Sequence, residues 1–385
     1  MLKRTPLFSR HQALGGRLIE FGGWEMPAQY TSIVDEHNAV RSAAGVFDIS
    51  HMGEVFVRGE AAGRFLNGLL TNDATQLIPG LGQYTLMCNP DGGVIDDLYL
   101  YRLGENEYFL IINASRIEAD TEWMRGQLGA FTGKPGVVFE DASDKFGAIA
   151  IQGPRVPEFI DTIIHGPSIG GTVVARASGL RKNEIAIFQG YGATAVVART
   201  GYTGEQGFEI AAPSETIGPI WDKTLEAGKP FGLVPAGLGA RDTLRTEACY
   251  PLYGHELDEK TTPIEAGLGY FVALGKPEFI GRAKLAAQKA AGPAKKLVAF
   301  KMAPQTAPPR PGYAIWSANA EPRAVGVVVS GTPSPSLGVG IGMGYVPPEF
   351  ATPGTPVAIE IRGRRAAAEI SSKPLLARLK QPKAV

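Results

Sequence analysis

The sequence predicts a mixed region of helices and strands followed by a separate all-β domain, on three observations. Helix and strand signals alternate through the first 280 residues, and a strand, strand, helix order occurs there twice. Beyond about residue 290 the texture changes to short strand-like runs broken by Pro and Gly clusters, with no helical period. The length of 385 residues, with 44% hydrophobic and 20% charged side chains, is enough for two or three cores.

Taken in order, the first element is a helix over residues 32–44. Ser32 and Asp35 form an S-x-x-D cap ahead of the stripe Ile33, His37, Val40 and Ala44, and Gly45 supplies a stop. Residues 60–70 form a second helix. Residues 84–88 and 94–101 read as strands joined by the turn Asn89-Pro90-Asp91-Gly92-Gly93, a hairpin. Residues 108–112 add a strand, and Ser115 with Glu118 caps a helix carrying Ile117, Met124 and Leu128. The order then recurs: strands at 184–188, 194–199 and 208–211, and a helix capped by Ser214 with Ile217, Ile220, Trp221 and Leu225 on one stripe. No residue-level repeat accompanies it. The last domain shows five strand-like runs, 297–302, 324–330, 341–346, 357–361 and 366–370, as expected for a barrel or a sandwich.

Composition excludes several function classes. Lys plus Arg equals Asp plus Glu at 38 each, so no whole-protein field selects nucleic acid or an anionic membrane. Two cysteines, Cys88 and Cys249, make neither a disulfide framework nor a zinc site, and they fit a reducing compartment. No run of 18 apolar residues occurs, and the basic start has no apolar stretch for a signal peptide, which points to the cytoplasm. Phosphate-loop, zincin, serine-elbow and C-x-x-C signatures are absent. The glycines at 338–344 lie among strand signals, unlike a dinucleotide loop.

Three clusters stand out. Asp96 and Asp97 interrupt an otherwise buried strand, and alternation sends them to opposite faces, so at most one points into a given site. A strand-end pair facing water is the competing reading; a metal site with Asp91 lacks calcium-loop spacing. In the second cluster, residues 199–209, three glycines imply a tight loop that presents Tyr202, a flat face with a polar tip, and Glu209, two acceptor oxygens. A purely structural turn is the alternative. In the third, Arg241 and Arg245 fall at i, i+4 of a helix and either bind a carboxylate or pair with Asp242 and Glu247. The five histidines show no ligand spacing; His51 reads as a satisfied structural residue and Trp24 as core. Residues 281–296 hold Arg282, Lys284, Lys289, Lys295 and Lys296 with no acidic residue, either a solvated basic face or a docking surface.

These clusters, with TPLFSRHQALGGRLIEFGGWEMPAQY (5–30), FDISHMGEV (47–55), TNDATQL (71–77), GQYTLMCNPDGGVIDDL (82–98), ARTGYTGEQGFEI (198–210), GLGARDTLRTEACYPLYGHEL (237–257), TTPIEAGLGYFV (261–272) and AVGVVVSGTPSPSLGVGIGMGYV (324–346), resemble the glycine cleavage T-protein family along nearly the whole chain. The resemblance implies an α+β fold: two interleaved ferredoxin-like folate-binding domains within residues 1–280, a C-terminal β-barrel over 290–385, and a three-lobed ring around a folate channel. It implies an aminomethyltransferase. That activity moves the methylene carbon of an aminomethyl group on the lipoyl arm of H-protein to tetrahydrofolate, releasing ammonia, with other glycine cleavage components met transiently. It assigns Asp96 as the essential carboxylate and places Met52, Tyr84, Asn113, Tyr202, Glu209 and Arg241 at the folate, with no metal. The family pattern starts near Thr5, leaving little room for a presequence, which again implies the cytoplasm. A tetrahydrofolate-dependent demethylase on the same scaffold is the alternative, and a noncatalytic folate-binding assembly factor is a third reading. Gln206, Thr246, Cys249 and the tail depart from the family pattern, and the tail leaves any C-terminal contribution to the site open.

Overall fold

The computed structural model describes residues 2–379, so the last six residues of the tail lie outside the described chain. Its central feature is a pair of sheets built by interleaved stretches of sequence. Ala44–Asp48 enters a seven-stranded sheet, the chain then leaves to build a whole five-stranded sheet, and Phe146–Gln152 returns to pair antiparallel beside Ala44–Asp48. The larger sheet runs in spatial order Gly170–Gly171, Ile185–Gly190, Ala193–Ala198, Gly207–Pro213, Phe146–Gln152, Ala44–Asp48 and Leu233–Pro235. Its last pair is parallel. The smaller sheet runs Gly82–Cys88, Val94–Gly104, Glu107–Ile112, Gly53–Arg58 and Val138–Asp141, antiparallel throughout.

Each sheet has a helix-covered face. Ile217, Ile220 and Trp221 of the helix Ser214–Gly228 pack on Ile149, Ile151, Phe208 and Ile210 of the larger sheet. Helices Ala62–Leu69 and Ile117–Ala130 cover the smaller one, with Leu66, Met124 and Leu128 on Leu98, Leu100 and Leu110. The other faces meet each other. There the larger sheet presents small side chains, Ala148, Ala150 and Ala198, to the aromatic side chains Phe56, Tyr101 and Phe109 of the smaller, so the two surfaces interdigitate. Gly82 belongs to the same logic: a Cβ there would come within 2.2 Å of the Tyr101 ring.

The C-terminal strands close into a six-stranded barrel, Arg364–Ser371 pairing back onto Lys296–Met302. It is tied to the sheets by polar contacts. Arg245 donates to Ser330 Oγ at 2.8 Å, and Ser336 Oγ donates to Glu247 at 2.9 Å.

Several expectations need correction. Ser32 caps its helix through Asp35 N–H, but the helix ends at Ser42, and Gly45 is a strand residue that fits under Val40, where a Cβ would sit 2.5 Å from Cγ2. The helix after residue 112 starts at Ile117 with no side-chain cap, since Ala114–Arg116 forms a 3-10 turn first. Ser214 is the first helical residue and forms no cap. The barrel has a sixth strand, Ala314–Ser317. Trp24 is only half-buried, on the Trp24–Gln29 strand, under Lys3 at 5.6 Å.

Candidate functional site

Period-two alternation along Val94–Gly104 divides its side chains between two environments. Leu98 and Leu100 enter the helix-backed core, while Tyr101 and Leu103 enter the layer between the sheets, with Tyr99 packed against it. Asp96 therefore faces the helices and Asp97 faces the larger sheet. Exposure agrees, for Asp96 is 0% exposed and Asp97 keeps part of its surface open. The Asp96 side chain, assigned from the resemblance as the carboxylate at the folate, is thus sealed behind the sheet, and the half-buried residue of the pair is Asp97.

Asp97 sits in a recess walled by aromatic rings. Tyr84 Oη donates to Asp97 Oδ2 at 2.8 Å and Asn113 Nδ2 donates to Oδ1 at 3.1 Å. Tyr84 is one register step from Asp97 on the paired strand, because Leu86 lies opposite Asp97 and Tyr84 opposite Tyr99. The edge of Phe271 meets Tyr84, ring centroids 4.7 Å apart. Burial, reinforced by the charge of Asp96, pushes the Asp97 carboxyl up to about 7, against the hydrogen bonds from Tyr84 and Asn113. A carboxyl poised there can hold or release a proton near neutral pH.

The recess continues across to the larger sheet. Glu209, on Gly207–Pro213, is partly open, accepts from Thr200 Oγ1 at 2.6 Å, and lines a narrow cavity with Met52 and Tyr101. Tyr101 Oη lies 2.9 Å from the same Thr200 hydroxyl. Tyr202 stacks on Tyr250 and donates its hydroxyl to the Pro251 carbonyl, and the Arg241 guanidinium lies 4.7 Å over its ring. Arg241 Nη1 is buried with no hydrogen-bond partner. Burial lowers the pKa of that guanidinium, with Tyr202 and Glu209 in its field.

The two arginines on the helix Leu238–Ala248 thus part company. Arg245 bonds Asp242 at 2.9 Å and Glu256 at 3.0 Å and is fully engaged. Glu247 pairs with Arg41 at 2.9 Å rather than with either of them. His51 also differs from expectation: its Nδ1 is buried without a partner, and burial lowers its pKa to about 4, so the ring is neutral.

Of the sequence-predicted residues, Tyr84 and Asn113 bond Asp97, Arg241 lies over the Tyr202 ring, and Met52 and Glu209 line one cavity; all six are partly accessible. Sequence reasoning passed over Tyr99, Tyr101, Thr200 and Phe271 and put Asp97 on the face opposite Asp96, away from the site. The available signal was the run Tyr99, Tyr101 on the face of Asp97, aromatic residues with polar tips where the opposite face carries leucines. Among the described residues, no cluster of His, Cys, Asp or Glu is arranged to hold a metal ion, and no helix is long and apolar enough to cross a membrane. A concave site with an acceptor pair at one end, a titratable carboxyl at the other and aromatic walls between them suits a flat, polar-edged heterocycle.

The chain is similar to known proteins along nearly its whole length. Residues 7–276 match the family model described as the GCVT N-terminal domain, and residues 295–376 match the glycine cleavage T-protein C-terminal barrel domain. Similar curated proteins include the aminomethyltransferases of Alkaliphilus oremlandii, 43% identical over 98% of both chains, and Geobacillus kaustophilus, 44% identical over 99% of this chain and all of the other. A solved structure, the glycine cleavage system aminomethyltransferase T from Bartonella henselae, is 32% identical with a TM-score of 0.87, covering 98% of each chain.

Proposed function

Since the chain belongs to the glycine cleavage T-protein family of aminomethyltransferases, we propose that its recess binds tetrahydrofolate and receives an aminomethyl group from the lipoyl arm of H-protein. Tetrahydrofolate supplies the nucleophilic nitrogen and accepts the methylene carbon, giving 5,10-methylenetetrahydrofolate, ammonia and dihydrolipoyl H-protein. The protein's task is then to orient the acceptor and manage charge and protons.

Each residue of the recess has a part in that task. Glu209 accepts from the adjacent N–H donors of the aminopyrimidinone edge, a bidentate match for a carboxylate. Arg241 offers the donor that has no partner within the protein, and Tyr202 and Tyr84 supply flat walls. Met52 closes the cavity beside Glu209. Asp97 takes the role first assigned to Asp96: held by Tyr84 and Asn113, it accepts a proton from the reacting nitrogen and stabilises the cation that develops during transfer.

The observation that carries this reading is the half-buried Asp97 residue, its carboxyl poised near neutrality between Tyr84 and Asn113, with Arg241 over the Tyr202 ring and in the field of Glu209. Free Cys88 and Cys249 support a cytoplasmic setting. The test is ammonia release and 5,10-methylenetetrahydrofolate formation from aminomethylated H-protein. Failure with a competent H-protein, together with folate-dependent methyl removal from a sulfonium or methoxy compound, would favour the demethylase instead.

A further inference from the structure

Behind the Asp97 carboxyl lies a buried polar network, of which the chemistry above uses only Asn113. Asp96 accepts from the Asn113 backbone N–H at 3.0 Å on Oδ2 and from Asn113 Nδ2 at 2.9 Å on Oδ1. The same Nδ2 donates to Asp97 Oδ1 at 3.1 Å and to the Asp97 carbonyl at 3.0 Å. One amide nitrogen therefore joins the carboxyl behind the sheet to the carboxyl in front of it.

Asp120, on Ile117–Ala130, comes within hydrogen-bonding reach of Asp96 from the helix side, and neither of its oxygens meets a nitrogen or hydroxyl donor. Two ionised carboxylates would repel one another in a site sealed from water, so the contact holds only if one proton lies between them. The cation facing the pair is Arg116, whose Nε is 3.8 Å from Asp120 and is already bonded to the Ile95 carbonyl, while its Nη2 bonds Glu259 at 2.8 Å. Tyr253 also faces both carboxyls, and Tyr84 and Tyr202 face Asp97. With the cation engaged elsewhere, a proton is what neutralises the pair; burial and the neighbouring Asp96 charge raise the proton affinity of Asp120 accordingly.

We propose that Asp96 is a positioning residue for the transfer reaction: fixed by a proton shared with Asp120, it holds the Asn113 amide, which in turn fixes the Asp97 side chain in the recess. This rests on the reading of Asp97 as the carboxylate at the reacting nitrogen. The arrangement has an electrostatic consequence as well. A negative charge behind the sheet raises the proton affinity of Asp97, so removing it should shift the pH at which Asp97 ionises downward.

The test uses the full-length protein with aminomethylated H-protein and three variants. Asp96→Asn is expected to lower kcat about ten-fold or more with KM for tetrahydrofolate nearly unchanged, because a displaced Asp97 costs reaction geometry more than binding. Its acid limb in the pH profile should move to lower pH. Asp120→Asn keeps a donor toward Asp96 and changes no net charge, so kcat should stay within about two-fold and the acid limb should stay in place. An Asp96→Asn protein that melts lower but keeps kcat and the limb would reduce Asp96 to a structural role and overturn the proposal. So would an Asp120→Asn limb that moves as far as that of Asp96→Asn, since Asp120 would then carry charge. Should Asp96→Asn fail to fold, infrared spectra of the wild type labelled with carbon-13 aspartate still decide: one protonated carboxyl should persist at pH 9 and vanish in Asp120→Asn. Its absence from the wild type overturns the proposal. Asp97→Asn separates the two readings. If it abolishes turnover while Asp96→Asn changes nothing, only the positioning role falls; if it retains turnover, the role of Asp97 falls and the positioning role with it.

Discussion

Replacing Asp97 by Asn should raise stability and destroy activity at the same pH. The ordinary aspartate value is 3.8 and the Asp97 carboxyl stands at about 7, displaced first by burial and then by the charge of Asp96. The sign follows from linkage: the folded state resists ionisation, so the penalty is absent below 3.8, grows between 3.8 and 7, and is complete above 7. The distance between those values corresponds to roughly 4 kcal/mol as an upper limit. Asn removes that penalty but presents an amide N–H₂ to one of the two donors, Tyr84 Oη or Asn113 Nδ2, which gives back about 1–3 kcal/mol. Urea melts at pH 8 should thus show Asp97→Asn more stable than wild type by about 1–3 kcal/mol, a difference that shrinks and changes sign toward pH 4, where only the lost hydrogen bond remains. Ammonia release at pH 8 should fall by about 10² or more, since charge stabilisation and proton transfer disappear together. Tetrahydrofolate affinity by calorimetry should change only a few-fold. A variant less stable than wild type at pH 8, or one that turns over within ten-fold of it, would refute the reasoning.

Other consequences are as open to measurement. Glu209→Ala should weaken tetrahydrofolate binding by about 10- to 100-fold, the range of a lost charge-assisted hydrogen bond, and Glu209→Gln by less; equal calorimetric affinities for all three proteins would remove Glu209 from the site. Lys284 and Lys289 are exposed on the helix Arg282–Ala291, whereas Arg282 is bonded to the Lys276 and Leu274 carbonyls and Lys295 lies over Tyr345. Reversing Lys284 and Lys289 to Glu should slow association with an acidic H-protein at low salt, and unchanged association rates by stopped flow would leave that helix a plain solvated face. Glu247 works in the opposite sense to Asp97. Burial alone would raise its pKa, but His37, Ser334 and Arg41 together outweigh that and lower it to about 2. Its stabilisation, roughly 3 kcal/mol, is fully present above the ordinary 4.5 and is lost as pH falls through 2. Glu247→Gln should therefore lower stability at pH 7 and converge on wild type near pH 2, and parallel denaturation curves at both pH values would count against it.

Elements that face water on one side were legible in the sequence, and the ones sealed on both sides were not. Ile33–Ser42 announces itself through a cap and a stripe, and Val94–Gly104 through its hairpin turn. Ala44–Asp48 and Phe146–Gln152 carry no alternation, because one face of each is covered by helices and the other by the second sheet. That is also why Gly45 passed for a helix stop. Residues 43–47 carry no polar side chain to mark the change of element, and the reason for the glycine is the close approach of Val40. Ala314–Ser317 was missed for a different reason: four residues interrupted by a bulge against Gly326 and Ala324 give periodicity nothing to act on.

The facing of Asp96 and Asp97 shows where local reading ends and where it could have gone further. Alternation alone places the two carboxyls on opposite faces but does not say which face is covered. That depends on Ile117–Ala130 packing behind the sheet and on a second sheet packing in front, contacts made with strands up to about 100 residues away in sequence. Composition nevertheless differs between the faces. Behind Asp96 follow Leu98 and Leu100, with no polar atom to offer a ligand; beside Asp97 follow Tyr99 and Tyr101, whose hydroxyls reach Asn183 and Thr200. A buried aromatic with a polar tip needs a partner, and a row of them on one face of a strand implies a polar, partly wet space in front of it. The accessible carboxylate of an adjacent acidic pair is therefore expected on the tyrosine face, and Tyr99→Phe offers a direct check. Losing the hydroxyl should break the bond to Asn183 and leave Asp97 unmoved if the recess is built by the sheets, whereas a shifted acid limb would show the tyrosine face itself tuning the carboxyl.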